Sequence, residues 1–218
     1  MDVVDRVGEL IDAQDQARVL VAVDGSDAAG KTTFADRLTK AVRAPTVRVS
    51  VDSFLRPRHL RYQRGELSPE GYYLDSFDDD ALLERCLRPF HAGACEITVA
   101  AQVQQDHTVA YKEQVVVPER AVLVVDGVFL QREQLRELWT VAIYLQVSPA
   151  ECLERARRRD RPVFGSVAEV ERRYRGRYLP GQVLYRDDAA PETAADVLID
   201  NEDPTSPVVV RCPSSTPG

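Results

Sequence analysis

Eight consecutive residues, Gly25-Ser26-Asp27-Ala28-Ala29-Gly30-Lys31-Thr32, fit the pattern G-x-x-x-x-G-K-[ST] without a mismatch. Ordinary residue frequencies produce such a string by accident in something on the order of one per cent of chains this long. Each residue type has a reason. Glycines at both ends let the backbone turn and approach a ligand closely, so that amide N–H groups can surround a phosphate. Lys31 supplies a positive charge for the outer phosphates, and Thr32 supplies a hydroxyl for Mg2+. The predicted chemistry is the binding of a nucleotide phosphate chain by residues 25–32 together with Thr33, with Mg2+ as companion ion.

Three acids end or follow apolar runs: Asp24, Asp52 and Asp126. In an open α/β sheet, ligands bind beyond the carboxyl ends of the strands, which makes these acids the residues to inspect. Asp24 directly precedes the loop and has bracing of its turn as the main alternative. Asp126, after Val122-Leu-Val-Val125, has the form of an acid that holds the metal directly or through water. Asp52 is a second candidate for the metal, with capping of a turn as its alternative.

The positive charge is unevenly placed. Three lysines accompany 25 arginines, and from Glu151 to Arg186 ten arginines meet five acids, a local charge of +5 in a chain of formal charge -7. A segment of this kind suits a lid that brings guanidinium groups to a phosphate chain and excludes water on closure. The lid is expected over residues 155–186, with Pro162 to Gly165 as its joint.

The elements that must position these groups follow from the apolar pattern. Val19–Val23, Ala121–Val125 and Val141–Leu145 are continuous rather than alternating apolar runs, as in parallel strands buried on both faces. Val47–Val51 and Ala195–Ile199 are weaker candidates. Helical spacing marks residues 2–14 and 33–42, and Ser148 and Ser166 each open a Ser-x-x-Glu capping box, with Ser76–Asp79 a weaker version. The predicted fold is α/β: an open, mainly parallel sheet with helices on both faces, an inserted β-hairpin at 95–117 and the Arg-rich lid. Residues 1–203 are expected to form one domain and 204–218 a loosely ordered tail. The acidic balance disfavours a polyanion-coating role, so no nucleic-acid partner is expected. Cys86, Cys95, Cys152 and Cys212 lack metal-site or disulfide-framework spacing, and no leader or membrane span is evident, which together predict a cytoplasmic setting. A homo-oligomer is compatible with the sequence, which does not specify one.

With these residues in view, the chain resembles the uridine kinase family of P-loop kinases, related to phosphoribulokinase and bacterial pantothenate kinase. The resemblance spans roughly residues 18–201. It rests on the phosphate loop, Val51-Asp52-Ser53-Phe54, Ser68 to Asp78, Val125-Asp126-Gly127-Val128-Phe129, Arg158-Arg159-Asp160 and Ala195 to Asn201. It implies ATP as donor, Asp52 as the base for a hydroxyl acceptor, and Asp126 as the acid that assists magnesium. It also implies that Arg159, Arg155 and Arg161 contact phosphates and that Tyr72, Asp75 and Tyr174 border the acceptor, with helix capping an open alternative for Asp75. The acceptor so implied is the 5′-hydroxyl of a pyrimidine nucleoside. One departure stands out: the hairpin lacks the Tyr-Asp…His segment by which uridine kinases read the base, with Val99-Ala-Ala-Gln-Val103 in its place and His107 off register. Another hydroxyl metabolite, such as a sugar, phosphosugar or pantothenate-like compound, and a nucleotide-binding regulatory module are the alternatives.

Overall fold

A computed structural model describes residues 2–103 and 110–213. Its main sheet has six strands: β1 (Arg18–Gly25), β2 (Thr46–Ser50), β5 (Ala121–Gly127), β6 (Val141–Gln146), β7 (Val197–Asp200) and β8 (Val208–Arg211), in the order β2-β5-β1-β6-β7-β8. The first five are parallel to one another and β8 runs antiparallel to β7. The chain is thus an α/β protein with a mainly parallel sheet. The remaining strands, β3 (Glu96–Val103) and β4 (Ala110–Val116), pair with each other as an antiparallel hairpin. The segment expected to be a loosely ordered tail contributes β8, because Val208 to Val210 can extend the sheet's open edge.

The continuous apolar runs are explained by burial on both faces. Successive side chains of a strand alternate between faces. In β1 and β5, Leu20, Ala22, Leu123 and Val125 pack into one core, and Val19, Val21, Val23, Val122 and Val124 into the other. The second core is covered by helices Val3–Asp12 and Lys31–Ala41 through Val4, Val7, Phe34 and Leu38. The first is covered by helices Pro69–Asp75 and Leu179–Ala189 and by Ile97 and Val99 of the hairpin. Among the described residues no helix is long and apolar enough to cross a membrane.

Side-chain caps set several helix starts. Ser148 and Ser166 accept hydrogen bonds from the backbone N–H groups of Glu151 and Glu169 at 3.2 and 3.1 Å. At the weaker box the cap is Asp78, which accepts from the Ala81 N–H at 3.0 Å, rather than Ser76. The stretch read as a joint, Pro162 to Gly165, lies in the short helix Arg161–Phe164, which Gly165 ends with φ +87°.

Candidate functional site

The phosphate loop leaves β1 and enters helix Lys31–Ala41 through Gly30, whose φ of +90° is strained for any other residue. A methyl group there would also stand 2.9 Å from Asn201 Nδ2. No side chain caps this helix, so its first N–H groups and the positive end of its dipole are offered to an anion. Lys31 Nζ reaches back to donate to the Ser26 carbonyl at 2.7 Å.

The loop is braced from behind. Asn201 Nδ2 donates to the Ala29 carbonyl at 2.7 Å. Asp24 is fully buried beneath it, accepting from the Gly25 N–H at 2.7 Å and from the Tyr185 hydroxyl. Burial pushes the Asp24 carboxyl up to about 6, against the lowering effect of those hydrogen bonds and of Lys31. Asp24 is therefore a brace, as its position before the loop allowed.

At the end of β5, Thr32 Oγ1 donates to Asp126 Oδ2 at 2.8 Å, while Arg48 Nη2 donates to Asp126 Oδ1 at 2.9 Å. Both carboxylate oxygens are thus aimed by neighbours. Among the described residues no group of three or more His, Cys, Asp or Glu side chains could hold a metal by itself. A hydroxyl beside one carboxylate is the donor set that suits Mg2+ carried in on a nucleotide, since that ion keeps waters and phosphates as most of its ligands. The residues present fit ATP with Mg2+.

Asp52 lies not at a strand end, as the apolar pattern suggested, but in the 3-10 turn Val51–Phe54, whose first residue packs against Gly127. A Cβ on Gly127 would overlap the Val51 side chain, so this glycine lets the Asp52 turn sit directly against the end of β5. Asp52 keeps access to the cleft, yet the protein around its carboxyl raises its pKa above the ordinary aspartate value, with Lys31 pulling the other way.

A cleft of about 640 Å³ joins these groups. On the donor side its walls include Asp27, Gly30, Lys31, Thr32, Thr33 and Asp126, and Asp52 faces the same space. Across it stand Arg159, Asp160 and Tyr174, tied together: Arg159 Nε donates to Asp160 at 2.6 Å and the Tyr174 hydroxyl donates to Asp160 at 2.7 Å. Tyr72 also lines the cleft, and its hydroxyl donates to Asp27 Oδ2 at 2.7 Å.

Several expected ligands are placed elsewhere. Arg155 faces the back of the loop, where its guanidinium donates to the carbonyls of Ala28, Asn201 and Glu202 and pairs with Glu151. Arg161 is exposed and does not line the cleft. Asp75 is buried outside the cleft and accepts from Arg64 Nε at 2.8 Å. Within the loop, Gly25, Ser26, Ala28 and Ala29 shape the backbone without lining the cleft, and Ser26 Oγ donates to Gln182 at 3.5 Å. Most of the clustered arginines are spent on carboxylates: Arg157 on Glu154 and Glu171, Arg172 and Arg173 on Glu66 and Glu169.

Other cleft residues were not singled out by the sequence. Arg61, Tyr62, Phe77 and Arg177 line the cleft, and Arg48 backs Asp126. Arg177 was one arginine among ten, and nothing in the spacing of Arg48 or Arg61 marks a partner 78 residues away or a cleft. His107, off register with the base-reading segment of uridine kinases, lies outside the described residues.

The profile of the phosphoribulokinase/uridine kinase family matches residues 20–170. No curated protein matches the chain. Among solved structures, a possible uridine kinase from Bacillus stearothermophilus superposes with a TM-score of 0.69 at 22% identity, covering 89% of this chain and 96% of that one. A D-glycerate 3-kinase from Cryptococcus neoformans var. grubii superposes with a TM-score of 0.59 at 12% identity, covering 87% and 90%. At these identities the superpositions speak for the fold, while the profile covers more than half of the chain. The chain belongs to the phosphoribulokinase/uridine kinase family.

Proposed function

Starting from membership of that family, we propose that the protein transfers the γ-phosphoryl group of ATP to a hydroxyl of a small molecule. The observation that carries this reading is the convergence of Lys31, Thr32, Asp126, Asp52 and Arg159 on one cleft. Mg2+ on the nucleotide supplies charge neutralisation beside Thr32 and Asp126. In the step itself the acceptor oxygen forms the new bond to phosphorus, its proton passes to an Asp52 carboxylate oxygen, and the bond to the β–γ bridging oxygen breaks to release ADP. Lys31 and Arg159 offset the charge on the transferring group, and most of the acceleration comes from positioning and preorganised charge. The raised pKa of Asp52 suits a group that must take a proton and give it up again.

A nucleotide-binding regulatory module would use the phosphate loop but has no use for a carboxylate placed opposite it. Acceptor-dependent ADP release, measured over nucleosides including uridine, sugars, sugar phosphates and hydroxy acids, tests the reading. Turnover with any acceptor supports a kinase. Bound ATP with no acceptor-dependent turnover across the panel overturns it in favour of the module.

A further inference from the structure

The acceptor wall carries positive charge that the protein does not neutralise. Resting on the kinase reading above, we infer that the acceptor bears an anionic group, a carboxylate or a phosphate, and that this group docks on Arg61.

Arg61 closes the short helix Arg58–Arg61, in the segment that follows the Asp52 turn, and lines the cleft. Its Nε is buried and has no hydrogen-bond partner, and no carboxylate pairs with its guanidinium among the described residues. Arg177 lies beside it, 2% exposed, with Nη2 donating to the Arg61 carbonyl at 3.0 Å and Nη1 to the Ser68 carbonyl at 3.0 Å. Among the described residues its hydrogen-bond partners are carbonyl and hydroxyl oxygens, so hydrogen bonds are satisfied while charge is not. Burial lowers the Arg177 pKa, and the nearby Arg61 charge lowers it further. Both guanidiniums stand against the Tyr62 ring, at 5.6 and 4.7 Å from its centroid, a contact that offsets only part of a full charge.

Several surrounding arginines behave differently. Arg64 has Asp75, and Arg172 and Arg173 share Glu66 and Glu169. Arg58, on the same short helix and against the same Tyr62 ring, also has no carboxylate partner among the described residues but does not line the cleft; Arg61 and Arg177 are the two that combine missing counter-charge with a place on the cleft wall. The donor phosphates already have the loop, Lys31 and the helix terminus, whereas Arg61 belongs to the stretch held beside the acceptor base by the Leu55–Phe77 bridge. No carboxylate among the described residues pairs with the Arg61 guanidinium, so an anion in the cleft can form charge-assisted hydrogen bonds there that a neutral acceptor does not. Sites built around such a group reject analogues that lack its partner.

The test is calorimetric titration of the full chain saturated with Mg2+ and a non-hydrolysable ATP analogue, so that the phosphate loop is filled. Titrants are matched pairs, glycerate with glycerol and ribose 5-phosphate with ribose, together with uridine, and inorganic phosphate and acetate as minimal probes. At least one anionic probe is expected to bind about tenfold or more tighter than the neutral compounds, the carboxylate and phosphate arms identifying the class. Arg61→Met is expected to weaken that binding about 10- to 100-fold with nucleotide affinity unchanged, and Arg61→Lys to recover part of the loss. Neutral compounds binding as tightly as anionic ones, no anion binding at all, or an Arg61→Met protein with unaltered anion affinity would each overturn the inference. ADP release with neutral acceptors alone removes the anion site and keeps the kinase; anion binding that depends on Arg61 without ADP release does the reverse.

Discussion

The two halves of the cleft are built on different principles. The donor half is made of backbone: a glycine-ended loop, a helix start left uncapped by any side chain, and braces at Asp24, Asn201 and Arg155 that hold carbonyls and N–H groups from behind. The acceptor half is made of side chains gathered from three separate stretches, around Asp52 to Tyr62, Tyr72 to Phe77 and Tyr174 to Tyr178. Phosphate is one chemical problem with a compact backbone solution, so the donor half is contiguous in sequence. An acceptor must be recognised by its particular groups, and those are met by residues that only folding brings together.

The largest effect expected from breaking one half alone is that of Asp52→Asn. It should lower kcat about 10²- to 10⁴-fold while ATP binding, followed by calorimetry, stays intact. In the wild type, kcat/KM should fall on acidification at a pH above the ordinary aspartate range, since the protein packed around this carboxyl strips part of its hydration and raises its pKa, and the base must be ionised. Lys31→Ala should show the opposite split, with nucleotide binding lost first.

The donor half should also reveal its buried acid in stability. The Asp24 carboxyl is raised from 3.8 to about 6, so the folded state holds a proton that the unfolded chain has released over that range. Its contribution is present below pH 4 and lost as pH rises to about 6, a change on the order of 3 kcal/mol. Denaturant unfolding of wild type and Asp24→Asn across pH 4 to 7 should show the wild type losing that much relative to the variant. A difference that does not vary with pH would remove the assignment.

Gly127→Ala strikes the seam between the halves. The added methyl must displace Val51, which should cost about 1 to 3 kcal/mol in unfolding experiments and also lower kcat, because the Asp52 turn moves with Val51. Arg155→Met should have the smallest effect of the set. It removes bonds to three carbonyls at the partly exposed back of the loop, so a loss of about 1 to 2 kcal/mol in stability is expected, with kcat within about twofold of wild type. A large loss of kcat would return Arg155 to the phosphates.

The same division governs what the sequence disclosed. The sheet was legible because β1, β5 and β6 are buried on both faces and read as unbroken apolar runs, and the loop was legible because phosphate binding fixes residue types at fixed spacing. The edge strand β8 was not, since Val208 and Val210 are exposed and a four-residue strand beside prolines reads as tail. Among the arginines, clustering drew the eye to residues 155–186, yet charge density cannot distinguish Arg157, paired with glutamates, from Arg177, buried against tyrosines. Asp75 looked well placed in its motif because sequence does not show that Arg64 would claim it.

One contact crosses the divide. Asp27 belongs to the phosphate loop, but its carboxylate accepts from Tyr72 of the acceptor wall and from Gln182 at 3.3 Å. On the kinase reading, a movement of the loop when nucleotide binds would therefore be felt by Tyr72 on the cleft wall. Such linkage is reciprocal: the factor by which ATP changes acceptor affinity equals the factor by which the acceptor changes that of ATP. On the kinase reading, a carboxylate shared in this way would make the two binding equilibria interdependent, and Tyr72→Phe, which deletes a single oxygen, is expected to weaken that coupling.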